Sequence, residues 1–441
     1  MGGRHFGFAS QMIFFCCLTA FLLTPLSALE TYKGSMLLEI VPRTITDQKN
    51  LRDLEHGDLM VDFWKAAALP GQAAIALVRR EFRNKVVQYL REHMLEWTKL
   101  DFDVGKHLRD VHLPWLEKNK KKKIFDARSG WDQFPYDEYN SYSEISSLLM
   151  QIRAEFPNIT RLVTVGHSYE GRRLLAVVIG NADRGVWIDA GIHAREWISV
   201  SSAVYMIGQI LTDYKEDKNG MRQLMDHLSW YILPILNPDG YEFTRTTDRL
   251  WRKSRSRTNA SQQHCNGVDL NRNFDVEFGV TGTSVSPCSY IYCGPRAFSE
   301  PETMSLSAFL KQNEDKIVAY VALHTFSQLW LMPFGYDVNA LPSNLNELDE
   351  TAHEAVRALR SVHHSNYRVL RSAQLYPASG DAPDWVKKFT KIPYSYTVEL
   401  RPDHYQKGGF VLPENQIIPT GEEIYAGVRA MAEHVVKNMK L

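Results

Sequence analysis

A chain of 441 residues with 44% hydrophobic and 23% charged residues has an ordinary globular composition and is long enough for more than one folded unit. Lys plus Arg and Asp plus Glu each total 51, so the formal net charge is +0. That balance argues against nucleic-acid binding and against a membrane-surface role, since both need a basic excess.

In chain order, the first feature is a secretory-signal pattern. Arg4 and His5 precede an apolar stretch over 12–23, and Pro25 and the small residues Ser27 and Ala28 follow. This predicts a signal peptide over 1–28, cut after Ala28, and a secreted, extracellular protein. The competing reading is a membrane anchor, but the stretch is short of the roughly 20 residues a span needs. Cys16 and Cys17 fall inside the signal. Cys265, Cys288 and Cys293 remain, enough in an oxidising compartment for one bridge and one leftover thiol. Sequons at Asn158 and Asn259 fit a glycosylated secreted chain, although each could arise by chance.

From about residue 31 to 123, "SMLLEIVPR" and "LMVDFW" read as strands and "IALVRREFRNKVVQYLREHMLEW" as helical. They predict a small α+β unit. It ends in "EKNKKKKIFDARSG". A lysine run is usually a solvated helix end. Here its place between two units, with Arg128 close by, points to a cut site for a trypsin-like protease.

Beyond Arg128, strands and helices alternate. "RLLAVVIG", "GVWIDAGI", "WYILPILN", "IVAYVAL" and "YSYTVEL" are near-continuous apolar runs, as strands buried on both faces are. Helical stretches over 201–214 and 300–313 lie between them. The prediction is an α/β domain with a mixed, largely parallel central sheet flanked by helices, with its site at the carboxyl ends of the strands.

Polar residues stand where those strands end. His193 and Glu196 follow "VWIDAGI", Asp239 follows "ILPILN", and His324 follows "VAYVAL". Glu399 lies inside "YTVEL", where a lone carboxylate is costly to bury. A single His after a strand is more often structural than a ligand, but four such cases in one domain are harder to dismiss. Two His and one Glu make a three-donor zinc set with a fourth position open. A hydrolase then needs a base, for which Glu399 is available, and positive charge for the oxyanion. "DRLWRKSRS" and "GVDLNRNF" supply candidate cations. "GHSYEG" suggests a serine-hydrolase elbow, but that motif needs Gly where this chain has Glu170.

"GIHAREW", "NPDGYEF", "RLWRKSRS", "GVDLNRNF", "LHTFSQLWLMPFGY", "YPASGDAPDW" and "YTVELRP" occur in the order found in secreted zinc metallocarboxypeptidases. The chain resembles their pancreatic carboxypeptidase A/B group over nearly all of 128–441, and the preceding segment resembles that group's activation peptide. The resemblance implies a signal peptide over 1–28, an activation propeptide over 29–128 and a carboxypeptidase-like catalytic domain over 129–441. It implies one zinc ion per chain, held by His193, Glu196 and His324. Glu399 matches the general base, which later protonates the leaving amine, and Arg252 matches the oxyanion-stabilising Arg. Asn271 and Arg272 match the pair that grips the substrate's terminal carboxylate. Tyr376 matches the mobile Tyr that closes over the bound residue. Arg195 and Arg249 match secondary cations further along the cleft, and Thr325 and Phe326 match contacts to the peptide backbone. Asp269 stands where a carboxylate orients the first ligand His. Cys265 and Cys288 occupy the positions of the group's common bridge.

The implied activity is release of C-terminal residues from peptides and proteins by a monomeric zymogen, inhibited by its own propeptide and freed by a trypsin-like protease. A non-catalytic binding protein on the same fold is the alternative from another class. It should have lost a ligand, the base or the oxyanion Arg, and none is lost. Substrate choice is less plain. Pro383 stands where the group has an apolar residue or Asp, Asp381 replaces a usual Gly, and Arg371 replaces an apolar or small residue. If both charged side chains face the pocket they could pair. On that footing apolar or aromatic C-termini are favoured, with basic ones as the runner-up.

Overall fold

The computed structural model describes residues 31–122, 130–258 and 265–440. The expected signal peptide over 1–28, Lys123, Arg128 and the Asn259 sequon lie outside the described residues. Asn158 is exposed. Among the described residues no helix is long and apolar enough to cross a membrane.

The N-terminal unit contains β1 (Met36–Val41), α1 (Ile45–His56), β2 (Asp62–Lys65) and β3 (Ala74–Val78). It continues with α2 (Arg83–Glu92), β4 (Glu96–Lys99) and α3 (Val104–Lys121). Its sheet runs β2-β3-β1-β4, antiparallel throughout. The segment read as one helix is instead β3, α2 and β4. All five residues of β3 are buried in the middle of the sheet. A short apolar run of that length cannot be told from a helix by periodicity. Thr44 and Asp47 close a reciprocal capping box on α1.

The larger unit has an eight-stranded sheet in the order β11-β10-β12-β9-β7-β8-β6-β5. In chain order these are β5 (Thr160–His167), β6 (Arg173–Ile179), β7 (Arg184–Ala190) and β8 (Leu228–Leu233), then β9 (Ile317–Thr325), β10 (Leu329–Met332), β11 (Arg368–Arg371) and β12 (Tyr394–Leu400). The central run β12-β9-β7-β8 is parallel, as is β10-β11; β5-β6, β6-β8 and β10-β12 are antiparallel. Strand alternation splits the interior in two. Leu175, Val177 and Ile179 of β6 join the core with α4 (Tyr142–Glu155), α5 (Trp197–Glu216) and the C-terminal helix Ile417–Met439. Leu174, Ala176 and Val178 face the other core, with Leu306 and Leu310 of the helix Pro301–Gln312. Central strands sealed on both sides need no polar residues, so the polar ones that occur at their carboxyl ends stand out. Cys265 and Cys288 are bridged and Cys293 is a buried thiol.

Candidate metal centre and substrate cleft

The sheet brings three donors together. β7 ends at Ala190, the chain turns, and His193 and Glu196 arrive just before α5 begins at Trp197. His324 is next to last in β9, a strand with every residue buried. β12 pairs with β9 in parallel and sets Glu399 opposite His324. These sequence-distant residues therefore converge because β7, β9 and β12 are neighbours.

His193 Nδ1 lies 2.9 Å from Glu196 Oε1 and 3.2 Å from His324 Nδ1, and His324 Nδ1 lies 3.3 Å from Glu196 Oε2. Donors on a tetrahedral zinc with bonds of ~2.0–2.1 Å stand roughly 3.3 Å apart. The second nitrogen of His193 lies 3.2 Å from Asp269 Oδ1. A proton on that nitrogen leaves the Nδ1 lone pair pointing at the trio. Two imidazole lone pairs and a carboxylate facing one another, all buried, are poorly matched to each other and well matched to a cation. The residues fit zinc.

Asp269, fully buried, is the hinge of the electrostatics. Its other oxygen accepts from Arg252 Nε at 3.0 Å and Nη2 at 2.9 Å. Arg252 and His193 hold its carboxyl well below the usual range despite burial. The same pair fixes the Arg252 fork at the cleft wall. Glu399 also lines the cleft, and its Oε2 is shielded with no hydrogen-bond partner. Burial pushes its carboxyl up to about 8, against the pull of His324 and Arg252.

At one end of the cleft, Asn271 Oδ1 accepts from Ala382 N at 3.1 Å, which leaves its amide NH2 free to donate. Arg272 is held by two carbonyls, Nε to Gly282 O and Nη1 to Asn271 O, both at 2.7 Å. No carboxylate lies within ion-pair distance of it among the described residues. Tyr376, Thr325 and Phe326 line the same cavity of about 230 Å³. Thr325 N also donates to Glu196 Oε2 at 3.1 Å.

Two expected substrate contacts differ. Arg195 lines the cleft but is engaged at both ends of its fork by Asp62 of β2, at 2.5 and 3.1 Å. Arg249 is no part of the cleft wall. It donates to Arg195 O and Phe410 O, both at 2.8 Å, and stacks over Trp197 at 3.9 Å. Residue order alone does not say which way an Arg points. Of Arg371 and Asp381, only Asp381 lines the cavity; Arg371 Nη1 donates to Val338 O, so the condition for their pairing is not met. Ser168 donates to Asp239 at 2.6 Å and accepts from Arg172 N, which makes "GHSYEG" a structural turn.

The motifs imply a covering propeptide but single out none of the residues that form the roof. Glu55, Asp62 and Trp64 of the N-terminal unit close over the donors. Burial lifts Glu55 to about 7, although Arg272 and Arg252 pull it down. The one available signal was Asp62, an acidic residue inside the strand-like "LMVDFW".

The zinc carboxypeptidase family matches residues 145–427, and the carboxypeptidase activation peptide matches residues 38–110. The chain is 37% identical to carboxypeptidase A2 of Rattus norvegicus over 423 residues, 95% of this chain and 98% of that one. It is 40% identical to carboxypeptidase B of Astacus astacus over 304 residues, 68% of this chain and 98% of that one. The crystal structure of thrombin activatable fibrinolysis inhibitor superposes with a TM-score of 0.77 at 32% identity, covering 92% of this chain and 99% of that one.

Proposed function

Because the chain belongs to the zinc carboxypeptidase family and carries a carboxypeptidase activation peptide, we propose the following division of labour in its cleft. The chain is a zinc-dependent carboxypeptidase that hydrolyses C-terminal peptide bonds. His193, Glu196 and His324 hold the zinc. That ion supplies a Lewis acid, which polarises the scissile carbonyl and makes water acidic enough to lose a proton near neutral pH.

Glu399 takes the proton from the attacking water and returns it to the leaving amine; its shielded, unpartnered oxygen supports that role. Arg252, steered by Asp269, meets the charge that grows on the carbonyl oxygen. Arg272 and the NH2 of Asn271 take the terminal carboxylate. An exopeptidase needs such a counter-charge at the dead end of its cleft, and an Arg fork suits a carboxylate. Tyr376 closes over the bound residue, while Thr325 and Phe326 guide the backbone behind it. Arg195 serves the chain further along once Asp62 has left. Arg249 acts indirectly, by holding the Arg195 carbonyl.

The N-terminal unit inhibits the site by covering it. We further propose that the protein is secreted as a monomeric zymogen, supported by the signal pattern over 1–28. A trypsin-like protease cutting within 117–130 would free the larger unit. The observation that carries the whole reading is the buried trio with Glu399 on its rim and Arg272 at the closed end. The test is release of C-terminal residues by trypsin-treated protein, with and without a chelator, alongside zinc stoichiometry. One zinc per chain and chelator-sensitive release are expected. Zinc-loaded, correctly cut protein that releases nothing would leave a binding protein on this fold.

A further inference from the structure

The proposed base, Glu399, is placed by its strand rather than by a partner. Its Oε2 makes no hydrogen bond among the described residues, and β12 ends one residue later, at Leu400. The next residue, Arg401, belongs to the "YTVELRP" stretch, yet it does not line the cleft and the proposed reaction does not use it.

The Arg401 side chain is clamped. Its Nε donates to Glu423 Oε2 at 3.0 Å and its Nη2 to Glu423 Oε1, a two-point fork. Its Nη1 donates to Gln416 Oε1 at 3.1 Å. Glu423 is fully buried in the C-terminal helix. The carbonyl of Arg401 ties into the site instead. It accepts from Thr325 Oγ1 at 2.6 Å, and Thr325 N donates to Glu196 Oε2 at 3.1 Å. Leu400 O accepts from Ser327 N at 3.1 Å and from Gln328 N at 3.2 Å. One clamped residue therefore fixes the strand end that carries Glu399. Through Thr325 it also reaches a carboxylate of the metal trio.

A buried ion pair adds little net stability over an apolar pair of similar size, because desolvation offsets the attraction. A carboxylate gripping a guanidinium at two points does fix direction. We propose that Glu423 is a positioning residue: acting through Arg401, it holds the end of β12 where Glu399 can take the proton of the attacking water. This inference rests on the carboxypeptidase reading.

The experiment uses Arg401→Met/Glu423→Leu in the trypsin-treated, zinc-loaded full-length protein. Removing both charges strands neither, so thermal stability should stay near wild type. A reacting group displaced by about 1 Å predicts a kcat roughly 10- to 100-fold lower, with KM and one zinc per chain unchanged. Amide exchange at Ser327 and Gln328 should speed up, which reports the loosened strand end without turnover. Glu423→Asp keeps the charge and shortens its reach, and it should show the same split between kcat and KM if the double variant does not fold. Wild-type kcat in a stable double variant, or in Glu423→Asp where that variant must stand in, would overturn the positioning role and leave the carboxypeptidase reading intact. No release of C-terminal residues by the wild-type protein would overturn both.

Discussion

Glu399 and Arg272 do different work, and their variants should separate. Glu399→Gln keeps the shape and removes the proposed base, so kcat should fall by roughly 10²–10⁴-fold. Zinc content should stay near one per chain, because Glu399 is not among the three donors. Loss of zinc along with activity, measured by metal analysis of the same sample, would place Glu399 in the metal set instead. Arg272→Ala removes the fork proposed to take the terminal carboxylate, so the damage should fall mainly on KM. The difference between a peptide acid and its C-terminal amide should nearly vanish. If the variant still discriminates strongly between acid and amide, another cation grips the carboxylate. Most of this site was legible as contiguous motifs, because each donor sits in a short stretch with a marked pattern around it. Directions were not legible. Arg249 and Arg371 lie in the right stretches and point elsewhere, since packing on Trp197 and the Val338 carbonyl decides their rotamers.

At the scale of elements, the informative helix is α3. Its His112 stacks on Trp115 at 5.0 Å, and both rings meet Trp197, the first residue of α5 and the neighbour of Glu196. Burial pushes the His112 imidazole down to about 2, with Arg249 and Arg245 adding repulsion. A base with a lowered folded-state pKa stabilises docking fully above its ordinary value of about 6.5, and that stability is lost as pH falls below it. The cost approaches about 1.4 kcal/mol per pH unit below that value, or roughly 15-fold in the opening equilibrium between pH 6.5 and 5. Hydrogen exchange on α3 in the uncut protein, corrected for intrinsic rates, should show that loss of protection. His112→Phe should keep the stack and remove most of the pH dependence. Equal losses in both proteins would assign the effect to other groups. Such docking was invisible in sequence, because residue order does not say that His112 and Trp115 will meet Trp197. The central strands were visible because full burial makes them continuously apolar. β3 was not, because its five residues are too few to fix a period.

For the whole molecule, the central question is what keeps the N-terminal unit over the cleft. Ion pairs hold it at several points: Lys118 and Lys122 at the end of α3 reach Glu414, Glu138 and Glu144, and two further pairs form through Asp62 and Asp248. Asp62 grips Arg195 where both are at most 2% exposed, and Phe410 stacks under the guanidinium at 3.9 Å. On a second side, Asp248 accepts from Arg79 at 2.8 Å and from Tyr32 at 2.5 Å. Around them, Ser284 and Ser289 donate to the carbonyls of His56 and Glu55, contacts that need no particular side chain on the N-terminal unit. A buried pair contributes little net stability, but breaking one side strands a charge and costs about 3–5 kcal/mol. Asp62→Ala leaves Arg195 buried without a counter-charge, a cost that disappears when the unit lifts and water reaches the guanidinium. The open population should therefore rise by roughly 100-fold or more. Asp248→Ala, outside the cleft wall, should do the same through Arg79. Peptide hydrolysis by the uncut proteins checks this, with the trypsin-treated proteins setting full activity. Both uncut variants should leak well above wild type, and cutting should bring the Asp62 variant to wild-type activity, since cutting removes the altered residue. If only Asp62→Ala leaks, the restraint lies at Arg195 alone. If neither leaks, the apolar contacts around Trp64 and Trp115, together with the Lys118 and Lys122 pairs, hold the unit without help from Asp62 or Asp248.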